Sequence, residues 1–388
     1  MLVRELQSAE SVLEIDRLKV NFYTYDGVVK AIDEISFALE DGDTLGIVGE
    51  TGCGKSVTVL SILRLILPPG RIESGCILYG TKDSCIDLTQ KNDEFMRSIR
   101  GNDISMIFQE AGNALNPVLS VGYQVSESFL LHRQQELCES VLNRIAEKRD
   151  RLSAYQRFRT WRYRRKLRKA EGNLLKDRHY GRLLKVEALR WSVDLLRSLG
   201  IPNPDELVKR YPHELSGGMQ QRVVISMALG CNPAVLIADE PTSNLDVTIQ
   251  AQILQLLEDL KERYHSSILF ITHDLGVVSE VSDKVIVLYA GTIVEFAEVR
   301  ELFKNPLHPY TSALLHSVPH LGSRERLESI GGNVPNLVSP PSGCRFHPRC
   351  PHVMDICREQ KPELYRGMEG ADNRHLAACF LYQQEGVA

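Results

Sequence analysis

The octapeptide Gly49-Glu50-Thr51-Gly52-Cys53-Gly54-Lys55-Ser56 constrains this chain more than any other stretch. It fits the pattern G-x-x-x-x-G-K-[ST], and its flanks fit as well. Residues 44–48, Thr-Leu-Gly-Ile-Val, are a short apolar run of the kind that makes a buried parallel strand. Residues 56–67 read as a helix stopped by Pro68-Pro69-Gly70. Strand, glycine turn and helix together make a phosphate cradle. The glycines let backbone N–H groups close round phosphate oxygens, and the helix N-terminus adds about half a positive charge. In such a cradle Lys55 reaches the outer phosphates and the Ser56 hydroxyl ligates magnesium. The expected fold class is α/β, a P-loop nucleotide-binding domain.

A chain of 388 residues has room for one large domain with an appendage, or for two domains. Its 43% hydrophobic and 25% charged residues are those of an ordinary globular protein, and a net charge of −4 decides nothing about nucleic acid. Residues 1–10 carry Arg4, Glu5 and Glu10 without an apolar core, so no secretory signal is expected there. The most apolar run, residues 57–67, is broken by Arg64 and falls short of a membrane span of roughly 18 residues. A soluble, cytosolic protein is expected. Nine cysteines, an odd number, do not suggest a secreted disulfide framework.

Two alternating runs, residues 12–22 and 28–39, precede the loop and read as antiparallel strands about Tyr25-Asp26-Gly27. Tyr25 is a candidate for stacking on a nucleobase, worth roughly 1–3 kcal/mol per base, against the plainer reading of an exposed hairpin tyrosine. Residues 103–108 form an apolar strand that ends in Gln109, whose carbonyl oxygen can reach magnesium or the attacking water. Ser216-Gly217-Gly218 opens a helical pattern over 219–229 and so makes a second anion site. A second cradle suggests a nucleotide shared between two copies. Residues 234–238 are a buried strand ending in Asp239, suited to magnesium, and Glu240, suited to polarising a water. Asp246 caps a helix over 247–264, and the strand at 267–272 delivers His273 to the end of the sheet where α/β proteins bind ligands.

Residues 144–190 differ in kind, with seventeen Lys and Arg against five Asp and Glu. They read as long helices that are simply solvated, or that meet anionic lipid, nucleic acid or an acidic partner. After about residue 321 the composition turns to loop material and introduces Cys344-x5-Cys350-x6-Cys357, with Cys379 beyond a 21-residue gap. Four thiolates in a tail with little core suggest a [4Fe-4S] cluster or zinc, and the spacing does not choose between them.

In this order GETGCGKS, Gln109, LSGGMQQR, LIADEP, SNLD and His273 resemble the nucleotide-binding subunit of an ABC transporter over roughly residues 12–320. The tail, GGNVP…PPSGCRFHPRCP…C…C, is similar to that of the peptide and nickel import subfamily, the D-type ATPase of dipeptide or oligopeptide importers. The resemblance implies a RecA-like core, an antiparallel β subdomain and a helical subdomain at about 112–232, with the basic segment inserted at about 144–190. It implies a separate cysteine-rich extension over 321–388. It also implies ATP and Mg2+ as ligands, and for some members a [4Fe-4S] cluster on the four cysteines.

By the same resemblance Gly49 to Ser56 hold the phosphates, Asp239 serves magnesium, Glu240 is the base, His273 the switch and Gln109 the link to the permease. Ser216, Gly217 and Gly218 contact the γ-phosphate bound to a partner. The implied assembly is a heterodimer with an F-type ATPase, two membrane permease subunits and an extracytoplasmic binding protein. It sits at the cytoplasmic face of the membrane. Asn244 stands where such proteins most often carry alanine, and the interval from Gln109 to Ser216 is longer than usual. Import of nickel or another small solute, or a soluble ABC ATPase acting on ribosomes or DNA, are the alternative readings, and no specific nucleic acid is expected.

Overall fold

The computed structural model describes residues 11–81, 84–147, 178–317, 330–366 and 375–383. The backbone divides into two compact units. One comprises Met1–Arg97, Ala234–Glu240 and Leu257–Ala388, and the other Ser98–Pro233 and Pro241–Leu256.

Strands number in chain order. Those before the nucleotide motif and just after it are β1 (Ser11–Thr24), β2 (Gly27–Glu40), β3 (Thr44–Val48), β4 (Gly70–Thr81) and β5 (Ser84–Asp87). They are followed by β6 (Ile104–Ile107), β7 (Val235–Asp239), β8 (Ser267–Thr272), β9 (Lys284–Tyr289) and β10 (Thr292–Glu298). The last two, β11 (Tyr365–Arg366) and β12 (Leu376–Ala377), come from the tail.

In the first unit β1 pairs antiparallel with β2 and, on its other side, with β4, and the β1–β2 hairpin closes on Tyr25 and Asp26 as expected. Sequence patterning does not anticipate β4 and β5. Gly70, Gly75 and Gly80 interrupt the alternation, and a Cβ on Gly75 (φ 94°) would come within 2.5 Å of the Arg17 carbonyl oxygen. The main sheet of this unit runs β11-β12-β10-β9-β3-β8-β7. Its centre is parallel, β3 lying between β8 and β9, and β3, β7 and β8 are buried throughout. Continuous runs such as Val235-Leu-Ile-Ala suit a sheet covered on both faces. The expected helix over 56–67 is shorter: it spans Lys55–Ile62 and ends because Arg64 takes a left-handed φ of 50° before the prolines are reached.

The described tail belongs to this same unit. Its β12 pairs with β10 through Ala377↔Glu295 and Leu376↔Phe296. Phe346 is buried in one cluster with Val48, Val285, Val287, Tyr289 and Tyr310. Its ring meets Tyr289 edge-on at 5.2 Å and Tyr310 at 5.4 Å.

The second unit carries β6 and is otherwise helical, including Val121–His132, Gln134–Glu147, Arg178–Ser198 and Gly217–Leu229. Phe129 meets Trp191 edge-on at 5.6 Å. Close helix approach requires Gly122, whose Cβ would lie 2.5 Å from Leu189 Cδ1. Most of the basic segment, residues 148–177, lies outside the described residues. At its described ends the charge is partly internal, since Arg144 and Arg190 both pair with the buried Glu187, at 2.8 and 3.7 Å. No described helix is long and apolar enough to cross a membrane.

Candidate functional site

The loop Gly49–Ser56 leaves the C-terminal end of β3, and its underside is packed tight. A Cβ on Gly49 would collide with the Leu288 carbonyl oxygen, and one on Gly54 (φ 109°) would lie 2.8 Å from the Ala31 carbonyl oxygen. Gly291 N–H also donates to the Cys53 carbonyl at 2.8 Å. The opposite side is open: a Cβ on Gly52 (φ 80°) would meet nothing within 4 Å. Lys55 is buried, and its Nζ donates to the carbonyls of Gly49 at 2.6 Å and Glu50 at 3.1 Å. A cationic amine beside an open, glycine-lined face fits a polyphosphate.

Ser56, in the first turn of the helix, places its Oγ 3.4 Å from Asp239 Oδ1 at the end of β7. Asp239 is buried, which pushes its carboxyl above the usual carboxylate range, while the Ser56 hydroxyl opposes the shift. A buried carboxylate beside a hydroxyl is a donor set that a hard divalent cation would stabilise. Glu240 follows in the left-handed region (φ 46°), fixed there by its N–H on the Ile271 carbonyl at 2.9 Å. Such a residue costs of order 1–3 kcal/mol in strain, a common price at functional sites. The turn sends its carboxylate away from Asp239, to His273: Nδ1 and Glu240 Oε1 are 3.0 Å apart. Gly49–Ser56, Asp239, Glu240 and His273 thus all stand at C-terminal ends of the parallel strands β3, β7 and β8.

Two residues that sequence reasoning missed also touch the loop. The Tyr310 hydroxyl accepts the Glu50 N–H at 3.0 Å. Arg349 grips the Glu50 carboxylate, Nη1 to Oε2 at 2.8 Å and Nη2 to Oε1 at 3.2 Å. Arg345 pairs with Asp33 of β2 at 3.0 Å and also donates to the Ala290 carbonyl. The only signal was the Arg-Phe-His-Pro-Arg run between Cys344 and Cys350, where the cysteines draw the eye.

Those cysteines are free thiols. Burial pushes Cys344 up to about 11, and Cys357, Cys379 and Cys350 lie near enough to push it further. Cys379 is likewise raised to about 11, by burial first and then by Cys350 and Cys357. Cys344 N–H donates to the Cys357 carbonyl at 2.9 Å. Among the described residues, however, no group of three or more His, Cys, Asp or Glu side chains is gathered as a metal ion requires. The expected metal-cluster tail therefore has its four thiols as neighbours, without an ion's geometry.

The remaining expected residues lie on other elements. Tyr25 is fully exposed at the tip of the β1–β2 hairpin. Gln109, exposed, follows β6 in the second unit. There too Ser216 is the N-cap residue of the helix Gly217–Leu229. Ser216, Gly217 and Gly218 line a groove of about 530 Å3 with Asn244, Leu245 and Asp246. Asp246 caps the next helix by accepting the Ile249 N–H at 3.0 Å.

Residues 32–243 match the family described as ABC transporter, and residues 294–357 match the oligopeptide/dipeptide transporter C-terminal region. The chain is 41% identical to the oligopeptide transport ATP-binding protein AppD of Bacillus subtilis, covering 97% of this chain and 98% of that one. It is 42% identical to the dipeptide transport ATP-binding protein DppD of the same organism, covering 97% and 96%. Among solved structures, the dimeric ATP-binding cassette MJ0796 bound to ADP and Pi superposes with a TM-score of 0.54 at 21% identity, over 74% of this chain and 99% of that one. Part of a cbiONQ transporter complex, cbiO1 of Clostridium perfringens, gives 0.52 at 24% identity, over 76% and 92%.

Proposed function

The chain belongs to the ABC transporters as an ATP-binding subunit of the oligopeptide/dipeptide class, and we propose how its residues power peptide import. It is an ATP-hydrolysing transport subunit. The observation that carries the catalytic assignment is the divergence of two adjacent carboxylates, Asp239 to Ser56 and Glu240 to His273. The loop Gly49–Ser56 binds the phosphates through its backbone N–H groups and Lys55. Mg2+, held by Ser56 and Asp239 with Gln109 as a further ligand, would neutralise charge that builds on the phosphates in the transition state. Glu240 orients the attacking water and accepts its proton, and His273 holds Glu240 and senses the γ-phosphate. Tyr25 stacks on the adenine, for which its exposure leaves its faces free.

Hydrolysis requires a second ATPase subunit, of the F type. Ser216, Gly217 and Gly218 of this chain complete that partner's site, and the partner completes this one. The helical part at about 112–232 faces two membrane permease subunits, which receive peptide from an extracytoplasmic binding protein. The subunit sits peripherally on the cytoplasmic face of the membrane, and the basic segment at about 144–190 contacts anionic head groups there.

The tail's Cys344, Cys350, Cys357 and Cys379 hold a [4Fe-4S] cluster, with zinc as the alternative. The mutual proximity of the four thiols supports this reading. Anaerobic purification with metal analysis decides: metal-free protein that folds normally overturns it.

Glu240→Gln tests the catalytic assignment. The variant keeps ATP binding and loses turnover by about 10²–10⁴-fold, the usual contribution of a positioned base. Hydrolysis at the wild-type rate would remove Glu240 from that role.

A further inference from the structure

Glu50 is the one acidic side chain within the loop Gly49–Ser56, and it is held from outside the loop on two sides. Its N–H donates to the Tyr310 hydroxyl at 3.0 Å, and its carboxylate takes both ends of the Arg349 guanidinium. Its carbonyl accepts Lys55 Nζ at 3.1 Å. Arg349 is itself anchored. Nε donates to the Gly331 carbonyl at 2.8 Å, Nη2 to the Ile330 carbonyl at 3.2 Å and Nη1 to the Tyr289 hydroxyl at 3.3 Å. The guanidinium carbon lies 5.8 Å from the Tyr289 ring centroid, and the side chain is 5% exposed. A planar fork bound at each nitrogen has one orientation available to it. The path Arg349–Glu50–Lys55 therefore runs from the segment between Cys344 and Cys350 to the lysine of the phosphate cradle.

The charge at position 50 needs this partner. A carboxylate beside a loop that takes a polyphosphate repels the ligand unless a cation neutralises it, and a fork-to-fork guanidinium is the strongest such partner.

We propose that Arg349 is a positioning residue for ATP: it neutralises and pins Glu50 so that the loop presents an uncompensated positive charge, from Lys55, to the phosphates. The proposal rests on the reading of Gly49–Ser56 as the ATP phosphate loop. The alternative role for Arg349 is a staple that only docks the tail, which would change stability and leave affinity alone.

Equilibrium binding of fluorescently labelled ATP to the full-length chain separates the two roles, with thermal unfolding followed in parallel. Arg349→Ala weakens ATP binding about tenfold, and Arg349→Lys, which keeps charge and loses the fork, weakens it less. Removing the charge that Arg349 opposes restores affinity: Glu50→Gln combined with Arg349→Ala returns to within about threefold of wild type. Unchanged affinity in Arg349→Ala, or a double variant as weak as Arg349→Ala alone, overturns the proposal. If Arg349→Ala does not fold, Arg349→Lys with and without Glu50→Gln is judged by the same two criteria. Lys55→Ala is measured alongside. Wild-type ATP affinity in that variant would refute the phosphate-loop reading itself, a failure distinct from that of Arg349.

Discussion

Tyr310 and Glu50 stand 260 positions apart in sequence, and the phenol oxygen of one accepts the backbone N–H of the other at 3.0 Å. Tyr310 is wholly buried against Tyr289 and Phe346, so its hydroxyl is a polar group that must find its partner inside the protein. Tyr310→Phe keeps the ring packing and strands the Glu50 N–H. The expected cost is about 1–3 kcal/mol, that of an unsatisfied buried donor, seen as a lower melting temperature with an unchanged far-UV spectrum. An unaltered melting curve would mean that water or a shifted loop satisfies the amide.

His308 sets a pH limit on the same region. It caps the helix Pro309–His316 by accepting the Tyr310 N–H on Nδ1 at 3.0 Å, which requires the neutral ring. Burial holds its pKa down at about 4, against the opposing pull of Glu295, whose Oε2 accepts the His308 N–H at 2.8 Å. The folded value lies below the ordinary 6.5 of histidine, so between pH 6.5 and 4 the unfolded chain takes up a proton that the folded chain refuses. Stability is therefore full above about pH 6.5 and falls as the pH drops through that window, by up to about 3 kcal/mol. His308→Asn keeps a capping acceptor and removes the titration. Its melting temperature should change less between pH 7.5 and pH 5 than that of the wild type; parallel pH profiles would contradict the assignment.

What the sequence discloses and what it hides divide along physical lines. Lys55, Ser56, Asp239, Glu240 and His273 are legible because each polar group ends or follows an apolar run, and strand ends in an α/β sheet converge on one edge. The strands about Gly75 and Gly80 are not legible, since glycine breaks the alternation that marks a strand. The early stop of the first helix at Ile62 depends on the left-handed Arg64, which no local pattern announces. Arg345 and Arg349 look like solvated charges within a cysteine motif. Only the packing of Phe346 between them, into the core behind β9, turns both guanidinium groups inward to Asp33 and Glu50. The four tail cysteines show as a set in the sequence, but the geometry they adopt does not.

Gly54 tests whether the loop's shape is set from below. It has φ 109°, and a Cβ there would lie 2.6 Å from Ile32 Cδ1 and 2.8 Å from the Ala31 carbonyl oxygen. The isoleucine tip can move, but the backbone oxygen belongs to β2 and cannot. Gly54→Ala therefore combines left-handed strain of about 1 kcal/mol or more with a backbone clash, and it should lift the loop off β2. ATP binding falls by at least about tenfold while the β1–β2–β4 sheet stays folded, as hydrogen exchange of its amides reports. Loss of sheet protection together with loss of binding would show that the glycine serves the fold and not the loop alone.

Asp239 carries an opposite-signed prediction for stability and for magnesium. Its folded pKa is raised, chiefly by burial, so the folded chain binds this proton more readily than the unfolded one. Above the folded value the protein bears the whole desolvation cost of a charge held 3.4 Å from a single hydroxyl. Asp239→Asn removes the charge at nearly constant volume. At neutral pH, with magnesium chelated, the variant should therefore melt above the wild type. Adding magnesium should stabilise the wild type and leave the variant where it was, because the amide is a far weaker ligand for a hard cation. Magnesium-dependent ATP hydrolysis should fall by about 10–100-fold or more in the variant, in the range seen when a metal site loses a supporting group. If the variant melts below the wild type without magnesium, the burial argument fails, and if both gain equally from magnesium, the ion is held elsewhere.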